Sequence, residues 1–161
     1  MERFVSRGAT ETKRWAGTIL RKLFPLGREP LILALSGELG SGKTTFVQGL
    51  ARFLGIRGRM QSPTFVLMKW YDISLRRWRA LPYRRLIHAD AYRIKTIAEA
   101  RRLGFPEVFA DRDAIVVVEW ADRIRKLFPN SAVWIYFHHG ENPRERILRI
   151  KNYELGTGAR P

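Results

Sequence analysis

The chain has no cysteine among its 161 residues, which excludes disulfide bonds, thiolate metal sites and cysteine nucleophiles. It also has no apolar run near the ~18 residues that a membrane span needs. The N-terminal stretch MERFVSRGATETK carries polar residues where a signal peptide needs apolar ones. We therefore expect a cytoplasmic protein with no membrane contact. Its length predicts one domain, residues 1–155, with a frayed tail at residues 156–161.

Acidic side chains are scarce. The chain has 15 Asp and Glu against 30 Lys and Arg, so its formal net charge is +15. This surplus favours polyanionic partners such as RNA, although a basic solvated surface would have the same composition. The densest cluster is RRWRALPYRR, from Arg76 to Arg85, where arginines beside aromatic rings suit phosphate contact and base stacking. An exposed hairpin tip with a few packing aromatics is the other interpretation, which we favour slightly.

One glycine-rich segment, GELGSGKT from Gly37 to Thr44, matches the phosphate-binding pattern G-x-x-x-x-G-K-[ST] in full. Glycines let consecutive backbone N–H groups turn inward around phosphate oxygens. Lys43 would reach the outer phosphates, and the Thr44 hydroxyl would bind the accompanying magnesium. The apolar run LILAL before the segment and apolar residues at helical spacing after it predict a strand, a loop and a helix in the required order. The predicted ligand is a nucleoside triphosphate.

A phosphate loop needs a carboxylate to hold magnesium, and such a residue normally ends a buried strand beside the loop. Glu119 directly follows the apolar run IVVV and is the better placed. Asp90, which ends LIHAD, is the rival; one of the two could hold the metal while the other orients the attacking water. Thr64, in the segment SPTF, could sense the γ-phosphate. We expect His88 to be a packed strand residue rather than a catalytic base.

Hydrophobic patterns place the remaining elements. A helix is predicted from residues 10–12 to the residue before Pro25, and a short helix from the capping box at Thr96 to Leu103, with Gly104 as its stop. Strands are predicted at residues 65–71 and 85–89 as the arms of a hairpin, at 115–118, and on both sides of a turn at Asn142 and Pro143. Helices alternate with strands early and strands dominate late, which predicts an α/β fold with a mixed sheet.

Several motifs together resemble the bacterial TsaE family: GELGSGKTTF, SPTF, HADAYR, LGFPEVF and VEW occur in the family's order and spacing, across roughly residues 10–146. The resemblance implies a P-loop NTPase-like three-layer sandwich, with a mostly parallel mixed sheet, flanking helices and a basic β-hairpin. It also implies a small ATPase that uses ATP and Mg²⁺. With the partner proteins TsaB and TsaD, such an ATPase is needed to form threonylcarbamoyladenosine beside the anticodon of tRNA, and hydrolysis would act as a switch for these partners.

The same resemblance implies roles for individual residues. Thr44 and Glu119 would hold magnesium, while Asp90 and Thr64 would serve hydrolysis or its coupling to partners. Thr12 and Arg144 would flank the base, and Trp120 would lie beside the site. The residues expected to bind the ATP phosphates are Glu38, Leu39, Gly40, Ser41, Gly42, Lys43, Thr44 and Thr45.

Two other functions remain open at this point. The first is an RNA-binding module that nucleotide merely regulates, which the basic composition favours, with Arg76 to Arg85 as a tRNA contact. The second is a small-molecule kinase, for which no lid segment or acceptor pocket is recognisable. A GTPase is less favoured, because the chain has neither a D-x-x-G nor an N-K-x-D motif.

Overall fold

The structure is a computed structural model that describes residues 2–24, 30–58, 60–73 and 82–151. Its strands are β1 (Glu2–Ser6), β2 (Leu31–Gly37), β3 (Met68–Asp72), β4 (Arg85–Asp90), β5 (Ala114–Glu119), β6 (Val133–His139) and β7 (Arg146–Lys151). Its helices are α1 (Ala9–Leu23), α2 (Lys43–Phe53), α3 (Ile97–Arg102), α4 (Phe105–Phe109) and a 3-10 helix at Ala121–Leu127.

The strands form a single mixed sheet in the order β1-β7-β6-β2-β5-β4-β3. The central strands β6, β2, β5 and β4 run parallel to one another. Antiparallel strands complete both edges: β7 and β1 beyond β6, and β3 beyond β4. The predicted α/β class with a mixed sheet and flanking helices is confirmed. None of the described helices is long and apolar enough to cross a membrane.

Strand β2 shows why the central strands are continuously apolar. Leu33 and Leu35 face the layer formed by α1 and α2. Ile32 and Ala34 face the opposite layer, which contains α3, α4 and the 3-10 helix. Both faces of the strand are therefore buried, so the alternation of polar and apolar residues disappears. The result is three layers, with the ends of β2, β4 and β5 opening on one edge of the sheet.

The predicted helix boundaries are confirmed. Helix α1 ends at Leu23, close before Pro25. At the start of α3 the Thr96 hydroxyl accepts a hydrogen bond from the Glu99 amide at 3.1 Å, and Gly104 follows the helix with a φ of +85°. Only glycine adopts such a φ at little cost, so it is a natural stop.

Strand β3 begins later than predicted. The sequence pattern indicated a strand over residues 65–71, whereas β3 covers Met68–Asp72. The Val66 and Leu67 amides both donate to the Pro63 carbonyl, at 3.0 and 2.6 Å, which forms a turn. Phe65 consequently stands out of the sheet, 83% exposed. Pairing of β3 with β4 still confirms the two predicted hairpin arms.

Strand β1 was not predicted, because its five residues ERFVS alternate only partly and gain their pairing from β7 at the far end of the chain. Most of the predicted basic tip, Arg76, Arg77 and Arg79 included, and the tail at 156–161 lie outside the described residues. The domain boundary at residue 155 therefore stays a prediction.

Candidate nucleotide site

The phosphate loop connects the end of β2 to the start of α2. Gly42 has a φ of +100°, in the left-handed region that favours glycine. At Gly37, which has a φ of +149°, an added Cβ would lie 2.4 Å from the Phe137 carbonyl oxygen. The first amides of α2 have no intrahelical partners and carry the positive end of the helix dipole. The structure therefore confirms the strand, loop and helix order, and the loop's shape suits an anion.

Lys43, at the first position of α2, folds back onto the loop. Its Nζ donates hydrogen bonds to the carbonyl oxygens of Gly37 and Glu38 at 2.7 and 2.8 Å. The Nζ also lies 4.0 Å from the centre of the Trp120 ring, in cation–π contact. Burial lowers the pKa of Lys43 from its ordinary value, and the nearby carboxylates of Glu119, Asp122 and Asp90 oppose that shift. The hydrogen-bond partners of the ammonium are neutral carbonyl oxygens, which an incoming phosphate can replace.

Thr44 and Glu119 meet at the base of the loop. The Thr44 hydroxyl lies 2.8 and 3.0 Å from the two carboxylate oxygens of Glu119 and donates to them. Glu119 ends β5 and is 2% exposed. The same carboxylate is 2.8 Å from Nε2 of His88, which is fully buried on β4. A buried carboxylate without such partners would be costly, so Thr44 and His88 hold Glu119 in place.

Asp90 forms a second polar cluster across the same cleft. One oxygen accepts hydrogen bonds from the hydroxyls of Ser62 and Thr64, at 2.5 and 2.7 Å. Its other oxygen accepts from the Tyr92 amide at 2.8 Å. Asp90 is 2% exposed and pairs in register with Glu119 across the parallel strands β4 and β5. It therefore ties the segment that contains Thr64 to the edge of the sheet.

These groups surround a cleft of about 350 Å³. The cleft brings together most of the residues that the sequence singled out, including Trp120, which the resemblance placed beside the site, and it adds Ser62 and Tyr92. Tyr92 and Trp120 have ring centres 5.0 Å apart and form one wall. The residues that line the cleft are Leu39, Gly40, Ser41, Gly42, Lys43, Thr44, Thr45, Ser62, Thr64, Asp90, Tyr92, Glu119 and Trp120.

The donor set fits magnesium. Mg²⁺ prefers hard oxygen ligands and is usually held by one or two carboxylates together with substrate phosphates. The Thr44 hydroxyl and the Glu119 carboxylate supply two adjacent oxygen donors beside the phosphate loop. Among the described residues no group of three His, Cys, Asp or Glu could hold a metal by itself. The site therefore suits a metal that arrives with a phosphate ligand.

Three predicted binding residues lie outside this cleft. Glu38 lines a neighbouring cavity that also contains Asp122. Thr12 and Arg144 line another cavity, which borders the loop at Gly40 and Gly42. The Thr12 side chain is 1% exposed and its hydroxyl lies 2.8 Å from that of Ser6, whereas Arg144 is exposed. A contact of Thr12 and Arg144 with the base stays a prediction.

Some residues of the site were not assigned a role from the sequence. His88 was expected to be a packed strand residue, which it is, but its hydrogen bond to Glu119 was not foreseen. Arg146, at the start of β7, donates to the Gly40 carbonyl at 3.1 Å and to the Pro143 carbonyl at 2.8 Å. The bond of His88 to Glu119 and that of Arg146 to Gly40 join segments far apart in the chain, and no local sequence pattern signals them.

Comparisons with known proteins agree on one family. Residues 6–147 match the family model described as threonylcarbamoyl adenosine biosynthesis protein TsaE. A protein of Treponema pallidum named tRNA threonylcarbamoyladenosine biosynthesis protein TsaE is 35% identical over 133 residues, 83% of this chain and 88% of that protein. The Synechocystis protein of the same name is 38% identical over 72% of this chain and 68% of its own length. The crystal structure of Bacillus subtilis YdiB superposes with a TM-score of 0.68 at 27% identity, covering 91% of this chain and 82% of that one.

Proposed function

This chain belongs to the TsaE family, and from that premise we propose that it is a Mg²⁺-dependent P-loop ATPase required for threonylcarbamoyladenosine formation in tRNA. The observation that carries the ATPase proposal is the Thr44 hydroxyl bonded to the buried Glu119 carboxylate at the foot of the phosphate loop. The pathway proposal rests on the names of the relatives, which describe tRNA threonylcarbamoyladenosine biosynthesis proteins.

The loop and Lys43 would bind the phosphates of ATP. Backbone amides at the start of α2 point toward the loop, and the dipole of this helix favours negative charge there. The Lys43 ammonium would exchange its two carbonyl acceptors for phosphate oxygens of higher charge. The donor is already charged in both states, and a phosphate oxygen adds an opposite charge that a carbonyl oxygen lacks, so the exchange favours the bound state.

Thr44 and Glu119 would hold the magnesium ion that accompanies ATP. A bound Mg²⁺ neutralises charge that develops on the transferred phosphoryl group. Thr44 donates its hydroxyl proton in a hydrogen bond to Glu119, so the lone pairs of its oxygen would face the metal. His88 would keep the Glu119 carboxylate oriented through the bond from its Nε2.

Asp90 would orient the attacking water and link hydrolysis to the loop that carries Thr64. Its carboxylate is buried beside the cleft and is already held by three donors, Ser62, Thr64 and Tyr92. Loss of the γ-phosphate on hydrolysis would therefore shift Asp90 and, through its bonds to Ser62 and Thr64, the turn at Pro63. Phe65 and Val66, which lie within that turn, would then move on the surface.

This surface supports a role with partner proteins. Leu39, which lines the cleft, is 83% exposed. Phe65 and Val66 directly follow the lining residue Thr64 in the chain and are 83% and 58% exposed. Apolar side chains rarely remain so exposed together unless a partner covers them. We propose that TsaD and TsaB dock there, so that ATP hydrolysis resets their complex. The pathway role also carries the expectation of a cytoplasmic location, with a tRNA contact through Arg76 to Arg85.

Calorimetry tests the nucleotide site. Lys43→Ala should abolish measurable ATP binding in the presence of Mg²⁺, whereas Lys126→Ala, at an exposed lysine of the 3-10 helix, should bind ATP normally. Normal affinity in Lys43→Ala would refute the assignment. Product analysis with candidate acceptors separates hydrolysis from kinase activity: phosphate released to water alone supports the ATPase, and a phosphorylated small molecule contradicts it.

A further inference from the structure

A second large concavity lies on the outer face of α1 and α2, away from the nucleotide cleft. It has a volume of about 600 Å³, against about 350 Å³ for the cleft. Its residues are Thr10, Lys13, Arg14, Gly17, Thr18, Arg21, Gly49, Arg52 and Phe53, and we call it the α1–α2 groove.

The groove follows the whole length of α1. The α1 residues that line it, from Thr10 to Arg21, are separated by steps of three and one, so they form one stripe along the helix. At a rise of 1.5 Å per residue the stripe is roughly 16 Å long. Helix α2 contributes Arg52 and Phe53 from the other side. The stripe is thus a continuous surface rather than a set of scattered side chains.

Close packing of the two helices forms the floor. An added Cβ at Gly49 would lie 2.6 Å from the Cα and the carbonyl oxygen of Lys13. At Gly17, an added Cβ would lie 2.8 Å from the Phe53 ring. Gly49 therefore lets the two helix backbones approach closely, and Gly17 leaves room for the Phe53 ring. The four cationic side chains line the groove beside this contact, and those of Arg14, Arg21 and Arg52 are exposed.

The lining contains four cations and no carboxylate. Within the described residues, none of Lys13, Arg14, Arg21 and Arg52 forms an ion pair. The carboxylates closest in sequence are engaged elsewhere: Glu11 accepts a hydrogen bond from the Arg7 amide at 2.7 Å, and Glu2 pairs with Lys22 at 2.8 Å. The positive charge of the groove is consequently available to an anionic ligand.

We propose that the α1–α2 groove binds the sugar-phosphate backbone of RNA. Three of its four cations are arginines, whose planar guanidinium groups match phosphate oxygens in a bidentate manner. The Thr10 hydroxyl adds a neutral donor of the kind that contacts phosphates and riboses. A linear stripe of cations fits an evenly charged, elongated polyanion, and the net charge of +15 adds long-range attraction to it.

This site is separate from the proposed ATPase site, and none of its lining residues belongs to the basic cluster at Arg76 to Arg85. None of the residues that line the groove also lines the nucleotide cleft. Binding of RNA there does not require nucleotide. A failure of the ATPase proposal and a failure of this one can therefore be observed independently.

The test measures binding of an unmodified tRNA transcript to the full chain across a series of salt concentrations. The groove variant combines Arg14→Gln, Arg21→Gln and Arg52→Gln. The matched control combines Arg101→Gln, Arg102→Gln and Arg112→Gln, which removes the same charge from exposed positions at the end of α3 and in the turn before β5. Circular dichroism and ATP affinity verify that both variants are folded.

We expect the groove variant to bind tRNA at least tenfold more weakly than the control. Its slope of log affinity against log salt should be shallower by about 2 to 3, since each phosphate contact contributes roughly 0.7 to 0.9. Lys43→Ala should retain full tRNA binding. Equal affinity of the groove variant and its control would overturn the proposal. Displacement of tRNA by polyglutamate at the same concentration of charge would also overturn it, because the ligand of the groove would then be an acidic protein.

Discussion

The Thr44 hydroxyl donates to both carboxylate oxygens of Glu119, at 3.0 and 2.8 Å, although 75 positions separate the two residues in the chain. The contact joins the first turn of α2 to the end of β5. It connects the phosphate loop directly to the carboxylate that would hold the metal. A change at either residue should therefore alter the effect of magnesium on ATP binding or hydrolysis.

Removal of the Thr44 hydroxyl should uncouple ATP binding from magnesium. Thr44→Val keeps the shape of the side chain but removes the oxygen donor, so we expect Mg²⁺ to strengthen ATP binding at least tenfold less than in the unmodified chain. Thr44→Ser retains the hydroxyl and should behave nearly normally. Calorimetry with Mg²⁺ and with EDTA measures the difference; an unchanged magnesium effect in Thr44→Val would exclude this residue as a ligand.

Glu119 and Asp90 should differ in kinetics. Glu119→Gln should lower the rate of ATP hydrolysis more than it lowers ATP affinity, because the carboxylate serves the metal. Asp90→Asn keeps the side-chain size but weakens acceptance of the Ser62 and Thr64 hydroxyls, and it should slow hydrolysis with binding preserved. Steady-state kinetics and binding measured on both variants test this division. Unchanged hydrolysis in Glu119→Gln would instead assign the metal to Asp90.

His88 should act as a positioning residue. His88→Ala removes a buried partner of Glu119 and leaves a cavity, so the free energy of unfolding should fall by about 2 kcal/mol or more. The magnesium concentration needed for half-maximal hydrolysis should also rise, which a purely structural loss would not cause. His88→Gln, which keeps an N–H donor, should partly restore it. His138→Ala, at an exposed position, is the control.

The stability contributed by Lys43 should depend on pH in the alkaline range. Burial lowers the pKa of Lys43 below 10.5, so in the interval below that value the unfolded chain binds more protons than the folded chain. The contribution of Lys43 to the free energy of unfolding therefore increases as the pH rises through this interval. Lys43→Met, which has no titrating group, should lose stability relative to the unmodified chain as pH increases. Urea unfolding in the absence of nucleotide measures the trend; the opposite slope would contradict it.

The exposed apolar side chains of Leu39, Phe65 and Val66 should serve partner binding and not nucleotide binding. Phe65→Ser removes a side chain that is 83% exposed, so ATP affinity and folding should remain unchanged. Binding to a TsaD and TsaB complex should weaken roughly tenfold, because exposed aromatic anchors dominate interface energies. The control is Leu103→Ser, at a 38% exposed residue after α3. Equal partner binding by both variants would place the interface elsewhere.

Local patterns were enough to predict the phosphate loop, the helix α1 and the cap of α3, because each depends on residues within a few positions. The pairing of Thr44 with Glu119 followed only from the general rule that a phosphate loop needs a carboxylate to hold magnesium. The bond of His88 to Glu119 depends on the parallel register of β4 and β5, which no local pattern encodes. Strand β1 was missed for the same reason, since its partner β7 lies at the other end of the chain. The prediction that β3 begins at residue 65 was wrong, because residues 65–67 form the turn at Pro63 instead of extending the strand.

Genetic complementation tests most directly that this nucleotide site serves tRNA modification. In a bacterium depleted of its own TsaE, the unmodified chain and Lys126→Ala should restore threonylcarbamoyladenosine, quantified by mass spectrometry of tRNA nucleosides. Lys43→Ala and Thr44→Val, produced at the same level, should leave it near the depleted value. Full restoration by Lys43→Ala would contradict the proposal that ATP binding at this loop drives the modification.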